Sequence, residues 1–222
     1  MKTIAEICTM RILLIAATKL EIEPFIAENT AIDVLITGVG VPATLYHLQK
    51  TVQQIQPNLI IQVGIAGAFS DKLLLGEVVL VKQDTFGDLG MEQKEVFTPI
   101  FQTDFMDKDE FPFIDGWLMN PTPFTAPSTL KAVKAITVNK VSDRPQQNQQ
   151  SIMSFSPEIE SMEGAALHYV CLQQKIPFIQ IRGISNWVGE RDKSKWKIKE
   201  AVSNLNIELK KMIAGFTSES GK

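Results

Sequence analysis

The chain has 222 residues, 45% of them hydrophobic, and a formal net charge of -3 at pH 7. This length and apolar content suffice for one well-buried domain, and the mild acidity excludes the basic surface that nucleic acid or an anionic membrane attracts. No apolar run reaches the roughly 18 residues of a spanning helix, so we expect no association with a membrane.

Cysteine and histidine are scarce. Cys8 and Cys171 are the two cysteines, and His47 and His168 are the two histidines. Neither pair has the spacing of a disulfide framework or of a metal site. We therefore expect a cytoplasmic protein without disulfides, metal ions or cofactors.

Short apolar runs alternate with helical periods along the chain. Predicted strands lie at 11–17, 33–37, 58–63, 77–82, 135–138 and 177–181, and predicted helices begin at Lys19 or span 42–54, 162–174 and 193–214. The first run is apolar throughout, as in strands that are buried on both faces. The alternation predicts an α/β fold, a single-domain three-layer sandwich in which helices flank a mixed, mostly parallel central sheet.

Three segments lack a clear period. The stretch 86–127 is rich in Phe, Pro, Asp and Gly, and a stretch this long without regular structure is usually a lid, a binding loop or an oligomer contact. The polar run 146–150 predicts an exposed turn, and 217–222 predicts a frayed tail. Since no linker or repeat is visible, we expect one domain over 1–222 with a core of about 11–214.

Two glycine-containing segments follow predicted strands. Residues 38–43 read G-x-G-x-x-A, which formally matches the dinucleotide fingerprint. The fingerprint also requires an acid at the end of the next strand, and 62–66 contains none, so a tight turn with close helix packing is the better explanation. Residues 64–68 predict a small-residue loop, which either brings its N–H groups close to a ligand or simply forms a packing turn.

Glu21 is the first candidate for catalysis. It lies in a T-x-x-E sequence directly after the first predicted strand. A capping box explains this pattern by itself, with roughly 1 kcal/mol of helix stabilisation. The alternative is a general base that faces a cleft at the carboxyl end of the strand.

Further polar candidates lie near the ends of later strands. Glu163 begins a helix, where it suits the helix dipole or holds sugar hydroxyls, and Gly164 leaves room for close approach of a ligand. Arg182 follows an apolar strand and needs a partner, either a structural ion pair or a catalytic acid. Asn186 is either a turn or cap residue or the reader of a purine edge, and 187–196 forms a charged, aromatic loop suited to covering a ligand.

The order of these motifs resembles the superfamily of purine nucleoside phosphorylases and methylthioadenosine nucleosidases, and within it most of all the futalosine hydrolases. The segments that carry the resemblance are 16–21, 33–40, 64–67, 88–90, 160–166 and 185–192. The resemblance covers about 11–214. It implies a nucleoside phosphorylase-like fold, a homo-oligomer of two or more subunits, and an enzyme that cleaves the N-glycosidic bond of a nucleoside.

The resemblance also implies a role for each matching residue. Glu21 corresponds to the glutamate that activates water, Arg182 to the cation near that water, and Asn186 to the residue that stabilises the departing base. Substrate contacts are expected from Met162, Glu163, Ala66, Gly67, Ser185 and Trp187.

Two positions differ from the methylthioadenosine nucleosidases, which usually carry Ser where Ile65 stands and Asp where Asn186 stands. An amide accepts a hydrogen bond from N7–H and donates one to O6 of hypoxanthine, whereas adenine requires a protonated acid. A mismatch leaves a buried polar group unpaired, at about 1–3 kcal/mol. Asn186 therefore predicts a 6-oxopurine substrate, and favours release of hypoxanthine from futalosine in the alternative menaquinone pathway.

Three other functions stay open. Asn186 disfavours a nucleosidase for methylthioadenosine, S-adenosylhomocysteine or aminofutalosine. Glu21 disfavours a 6-oxopurine nucleoside phosphorylase, since a carboxylate repels phosphate and no glycine and arginine set is present to hold that anion. Glu21 and Glu163 together disfavour a nonenzymatic nucleotide-binding protein.

Futalosine also carries a carboxyphenyl ketone arm. Arg191 or Lys193 is expected to meet its carboxylate. Trp187 or residues of the 86–124 stretch are expected to stack on its ring, and residues 97–124 are also the expected oligomer contact.

Overall fold

The computed structural model describes residues 10–29, 32–122 and 130–219, with side chains up to residue 216. The strands are β1 Ile12–Ala16, β2 Asp33–Ile36, β3 Leu59–Ala68, β4 Val78–Asp84, β5 Gly90–Gln93, β6 Val96–Pro99, β7 Leu118–Met119, β8 Lys131–Thr137, β9 Ile159–Ser161 and β10 Phe178–Trp187. The α-helices are α1 Lys19–Ile26, α2 Val41–Ile55, α3 Pro145–Phe155, α4 Gly164–Gln174 and α5 Ile198–Glu219.

Eight of the described strands form one sheet in the order β10-β4-β8-β9-β3-β1-β2, with β7 beside β4. Because β10 also pairs with β3, five of these strands close on each other, while β1 and β2 extend the sheet outward. The pairs β1–β2, β1–β3, β3–β10, β4–β8 and β8–β9 are parallel, and the β3–β9, β4–β10 and β4–β7 pairs are antiparallel. The predicted mixed, mostly parallel sheet is confirmed.

Strand β1 shows how the layers are built. Leu14 faces the helices α1 and α5 and packs in one core cluster with Phe25 and Leu205. Its neighbour Leu13 faces the opposite side, where it packs with Leu48 of α2 and with residues of α4. Because successive side chains of a strand point to opposite faces, a continuous apolar run requires helices on both faces.

Two strands run farther than predicted. The small-residue segment 64–68 is not a loop but the carboxyl half of β3, and 182–187 continues β10. Gly and Ala weaken the sequence pattern of a strand, yet here they leave the space that neighbouring side chains occupy. The functional residues of both segments therefore lie on paired strands instead of loops, and this limits their movement.

The segments without a clear period contain more regular structure than expected. Residues 146–150 lie inside α3, so the predicted turn is wrong, and β5 and β6 form a separate two-stranded hairpin within 86–122. The backbone of α5 is helical through Glu219, which includes the start of the predicted frayed tail. Cys8, residues 123–127 and residues 220–222 lie outside the described part of the chain.

Candidate active site

A cavity of about 320 Å³ lies where the carboxyl ends of β1, β3 and β10 meet the start of α4. This volume is within the range of small-molecule sites, and the carboxyl edge of a parallel sheet is where such sites form. Predicted site residues that line the cavity are Glu21, Ala66, Gly67, Met162, Glu163, Ser185 and Asn186. The fold thus brings most of the predicted set together from four separate segments.

Glu21 serves the capping box and the cavity at once. Its Oε2 accepts hydrogen bonds from the Thr18 backbone N–H at 2.9 Å and from the Thr18 hydroxyl at 3.0 Å. Its Oε1 accepts from the Ile65 N–H at 3.1 Å. The two roles that competed in the sequence are therefore divided between the two oxygens of one buried carboxylate, which α1 and β3 hold in a single orientation.

Arg182 lies behind this carboxylate, within β10 and only 1% exposed. Its Nη2 donates to Gln62 Oε1 at 2.9 Å, and its Nη1 lies 3.7 Å from Glu163 Oε2. Gly64 makes room for it, because a Cβ there would collide with Arg182 Nη1 and lie 3.0 Å from Glu21 Oε1. The guanidinium therefore packs over Gly64 and beside Glu163, outside the cavity wall, and among the described residues it forms no ion pair with Glu21.

Glu163 is held from two sides at the switch from β9 to α4. Its Oε1 accepts from the Gly40 N–H at 3.0 Å, and Arg182 lies beside Oε2. Burial raises the pKa of the Glu163 carboxyl, and the Arg182 charge and the Gly40 hydrogen bond oppose this rise. The second glycine of the G-x-G sequence thus donates to a side chain of this cavity; its positive φ of 90° is a conformation that glycine adopts readily.

Asn186 lies in the cavity wall with each end of its amide already engaged once. Its Nδ2 donates to the Trp187 carbonyl at 2.9 Å, and its Oδ1 accepts from the Ser185 hydroxyl at 2.8 Å. An amide has two N–H groups and two acceptor positions, so one of each remains for a ligand. Gly67 lies beside it, since a Cβ on that residue would be 3.2 Å from Asn186 Nδ2.

The segment after β10 covers one side of the cavity, but with a different tryptophan from the predicted one. Trp187 packs with Leu75 against a core cluster and does not line the cavity, so its predicted substrate contact is not supported. Trp196 does line it, and its indole N–H donates to the Glu190 carbonyl at 3.0 Å. Arg191 also lines it and donates to the Val141 carbonyl at 2.9 Å, whereas Lys193 does not line it.

Gly164 has a structural role instead of the predicted contact with a ligand. A Cβ there would collide with Asp84 Oδ2 and Gln180 Nε2, and the residue does not line the cavity. The next residue is tied to the same polar group, since the Ala165 N–H donates to Thr137 Oγ1 at 2.7 Å and Thr137 donates to Asp84 at 3.0 Å. Burial raises the pKa of Asp84 to about 7. Gly164 thus lets α4 begin close to the sheet.

The cavity also contains Glu160, a titratable residue to which no sequence pattern had given a role. Glu160 lies in β9, a strand of three residues that no periodic pattern indicated. Burial raises the pKa of its carboxyl to about 7, with Arg191 lowering it and Asp88 raising it. In the structure the neighbours Ile159 and Ser161 are both buried. In the sequence, the only sign of a role for Glu160 was a charged residue directly before the Ser161–Glu163 motif.

No described residue of 86–122 lines the cavity, so the predicted lid is not supported for that part of the segment. Phe105 and Phe111 of this segment are exposed. The oligomer contact expected there stays a prediction. Within the described residues, no group of three or more His, Cys, Asp or Glu is arranged to hold a metal ion. Likewise, none of the helices described is long and apolar enough to cross a membrane.

A family model described as the phosphorylase superfamily matches residues 18–214. The match covers most of the chain, and the protein therefore belongs to this superfamily. Among known proteins, the futalosine hydrolase of Thermus thermophilus is 28% identical over 217 residues, which cover 91% of this chain and 95% of that protein.

Solved structures of two kinds share the fold. The S-adenosylhomocysteine nucleosidase from Streptococcus pyogenes has a TM-score of 0.75 at 17% identity and covers 94% of this chain and 98% of that chain. The futalosine hydrolase of Helicobacter pylori strain 26695 has a TM-score of 0.74 at 14% identity and covers 93% of this chain and 98% of that chain. The two scores are nearly equal, so the fold alone does not separate these two activities.

Proposed function

We propose that this protein hydrolyses the N-glycosidic bond of futalosine, releasing hypoxanthine and dehypoxanthine futalosine in the alternative menaquinone pathway. The coarser statement, that the chain is an N-glycosyl hydrolase, agrees with the names of its relatives, which include a futalosine hydrolase and an S-adenosylhomocysteine nucleosidase. The choice of futalosine rests on Asn186, at the end of the cavity where we place the purine base. We call this end the base end, and the end with Glu21 and Glu163 the sugar end.

The observation that carries the choice is the anchoring of Asn186. Its Nδ2 is held 2.9 Å from the Trp187 carbonyl, so an ionised Asp at this place would set two oxygen acceptors against each other. The remaining N–H and the remaining acceptor position of the amide match O6 and the protonated N7 of a departing 6-oxopurine. An adenine base presents a 6-amino donor in place of O6, and pairs with the amide less well.

The reaction is a displacement at C1′ of the ribose by water. Glu21 takes a proton from the attacking water, while its fixed hydrogen bonds to Thr18 and Ile65 keep it aimed. Glu163 accepts hydrogen bonds from the ribose hydroxyls, and Arg182 holds Glu163 without touching the cavity. As the C1′–N9 bond breaks, the departing purine takes a proton at N7 from solvent, and Asn186 accepts a hydrogen bond from that N7–H and donates one to O6. Positioning and electrostatics supply the rate.

The charges in the cavity wall favour water over phosphate as the nucleophile. Glu21 and Glu163 are both buried there, and the negative charges of two carboxylates disfavour binding of a phosphate anion beside them. Water is therefore the nucleophile that fits best, and phosphorolysis fits poorly. Met162 lines the same wall with its flexible thioether, which suits contact with the sugar or the base.

The carboxyphenyl arm of futalosine requires a cation and an apolar surface. Arg191 lies in the wall of the cavity, and Trp196 supplies an aromatic face beside it. Of the two predicted cations Arg191 is the one in the lining, and Trp196 takes the place of the predicted Trp187; Lys193 and Trp187 lie outside the lining. Cytoplasmic location and assembly into a homo-oligomer stay predictions of the same proposal.

The experiment is a substrate panel. The protein is incubated with futalosine, aminofutalosine, methylthioadenosine and inosine, each with and without phosphate, and the liberated base and sugar are identified. The proposal expects hypoxanthine and a free reducing sugar from futalosine, with no dependence on phosphate. Faster release of adenine, or appearance of a sugar 1-phosphate, would contradict it.

A further inference from the structure

The strand register places Glu160 opposite Asn186 across a glycine. Gly67 of β3 pairs with Asn186 of β10 on one side and with Glu160 of β9 on the other. Paired residues on neighbouring strands share one face of a sheet. With strands about 4.8 Å apart, the Cα atoms of Asn186 and Glu160 are roughly 10 Å from each other.

The space between these two side chains belongs to the cavity. Glu160, Gly67 and Asn186 all line it. A Cβ on Gly67 would lie 3.2 Å from both Asn186 Nδ2 and Val188 Cγ2, so the missing side chain lets the Asn186 amide and Val188 pack close over the middle of the row. The row therefore places two polar side chains, Asn186 and Glu160, in the wall of one cavity, where both can face a flat heterocycle with polar edges.

The Glu160 carboxylate has no partner of its own in this row. Among the described side chains, which end at residue 216, none forms a hydrogen bond or ion pair with its oxygens, in contrast to Glu21 and Glu163. The nearby Arg191 acts on it through charge, but the guanidinium of that residue donates to the Val141 carbonyl. A largely buried carboxylate in a cavity is expected to receive its hydrogen bond from whatever the cavity binds.

The chemistry of the purine says which hydrogen bond this is. When Asn186 engages N7 and O6, the adjacent edge of the base, which carries N1, is directed away from Asn186. N1 of a 6-oxopurine bears a hydrogen and donates, whereas N1 of adenine is an acceptor. An ionised carboxylate only accepts, so above its pKa of about 7 Glu160 favours the first base and disfavours the second, and the test below is run at pH 8 or higher.

We propose that Glu160 accepts a hydrogen bond from N1–H of the bound 6-oxopurine and is a second specificity-determining residue of the site. The inference rests on the proposed function, because it assumes that a keto base occupies the cavity. Glu160 takes no proton from the reacting atoms and is not a catalytic residue. Together with Asn186 it reads two adjacent edges of the base, so discrimination does not depend on one side chain.

The test is the ratio of two affinities, measured by calorimetry with hypoxanthine and adenine. In Glu160→Gln the shape is kept, but the new amide also donates and can bond to adenine N1. We expect the hypoxanthine-to-adenine affinity ratio to fall at least tenfold. The matched control is Glu158→Gln, two residues earlier, whose carboxylate accepts from the Lys134 N–H at 3.0 Å outside the cavity. This control should leave the ratio unchanged.

The outcomes separate the inference from the proposed function. If the unaltered protein prefers hypoxanthine and Glu160→Gln weakens both bases equally, the inference about Glu160 is overturned and the proposed function stands. If the unaltered protein prefers adenine, both are overturned. The same ratio is read a second time from competitive hydrolysis of an equimolar mixture of futalosine and aminofutalosine, where the two released bases are counted.

Discussion

The two ends of the cavity are built differently. At the sugar end, Glu21 and Glu163 are buried carboxylates whose oxygens already bond to backbone N–H groups, and Arg182 is wedged behind them. At the base end, Asn186 keeps half of its amide available, and Glu160 has no hydrogen bond from the described residues. In the proposed function, the sugar end is thus fixed before the substrate arrives, whereas the base end is completed by it.

This contrast matches the demands of each end. Charge develops at C1′ regardless of which base departs, and preorganised groups stabilise it without rearrangement. Identity of the base is decided by hydrogen bonds that form only with the right partner, since a wrong partner leaves buried groups unpaired. Variants at the sugar end should therefore change rate, and variants at the base end should change preference.

The largest effect is expected at Glu21. Glu21→Gln keeps the shape and the acceptor oxygen but removes the base, so kcat should fall by about 10²–10⁴-fold while substrate binding is retained. Glu23→Gln, on the exposed side of the same helix, is the control and should retain activity. A Glu21→Gln protein with near-normal turnover would show that water is activated elsewhere.

The base end should show a pH-dependent contribution to stability from Glu160. Burial raises the pKa of this carboxyl from 4.5 to about 7, with opposing effects from Arg191 and Asp88. The unfolded chain ionises first as pH rises, so stability is lost between about pH 4.5 and pH 7, by roughly 3 kcal/mol. Urea unfolding from pH 4.5 to 8 should show the unaltered protein losing this stability relative to Glu160→Gln; parallel curves would contradict it.

The packing at the sugar end can be tested through Gly64. A methyl group there would collide with Arg182 Nη1, in a region where the surrounding groups are all buried. Gly64→Ala should lower the free energy of unfolding by about 1–3 kcal/mol and also lower kcat, since both carboxylates shift when the guanidinium moves. Thermal unfolding and turnover are measured together; loss of neither would mean that the wedge behind the site is dispensable.

The smallest effect is expected where the substrate arm leaves the cavity. Trp196→Ala should raise KM for futalosine by up to about tenfold and leave KM for inosine nearly unchanged, because an aromatic contact contributes about 0.5–1.5 kcal/mol. Trp187→Ala is the matched control, since that ring packs against the core and does not line the cavity. Equal changes in KM for both substrates would show that Trp196 does not contact the arm.

The layered fold could be predicted from local patterns in the sequence, whereas the set of site residues was predicted from the resemblance to the superfamily. The apolar run of β1 requires helices on both faces, and the strand order brings Glu21, Glu163 and Asn186 to one edge. The strand-to-helix switch at Glu163 was visible as an acid before a run of small residues. The helices on both faces of β1 and the switch at Glu163 depend on short stretches of chain, whereas the meeting of the three side chains depends on the strand order.

The remaining features depend on contacts between distant segments. The role of Gly64 depends on Arg182, which lies 118 positions later in the chain. The role proposed for Glu160 depends on the register of β9 against β3, which the sequence of a three-residue strand does not reveal. The difference between Trp187 and Trp196 depends on how the chain packs at and after the end of β10. Such placements follow from tertiary packing, which no single-segment pattern contains.

The central claim is that the amide of Asn186 reads a keto purine. Its most direct test is the ratio of kcat/KM for futalosine to that for aminofutalosine, in the unaltered protein and in Asn186→Asp. The control is Asn204→Asp, whose amide also donates to a backbone carbonyl, that of Gly76, away from the cavity. We predict a ratio of at least tenfold in favour of futalosine, which Asn186→Asp lowers or reverses and Asn204→Asp leaves intact. A ratio in favour of aminofutalosine in the unaltered protein, or one that Asn186→Asp leaves unchanged, would contradict the claim.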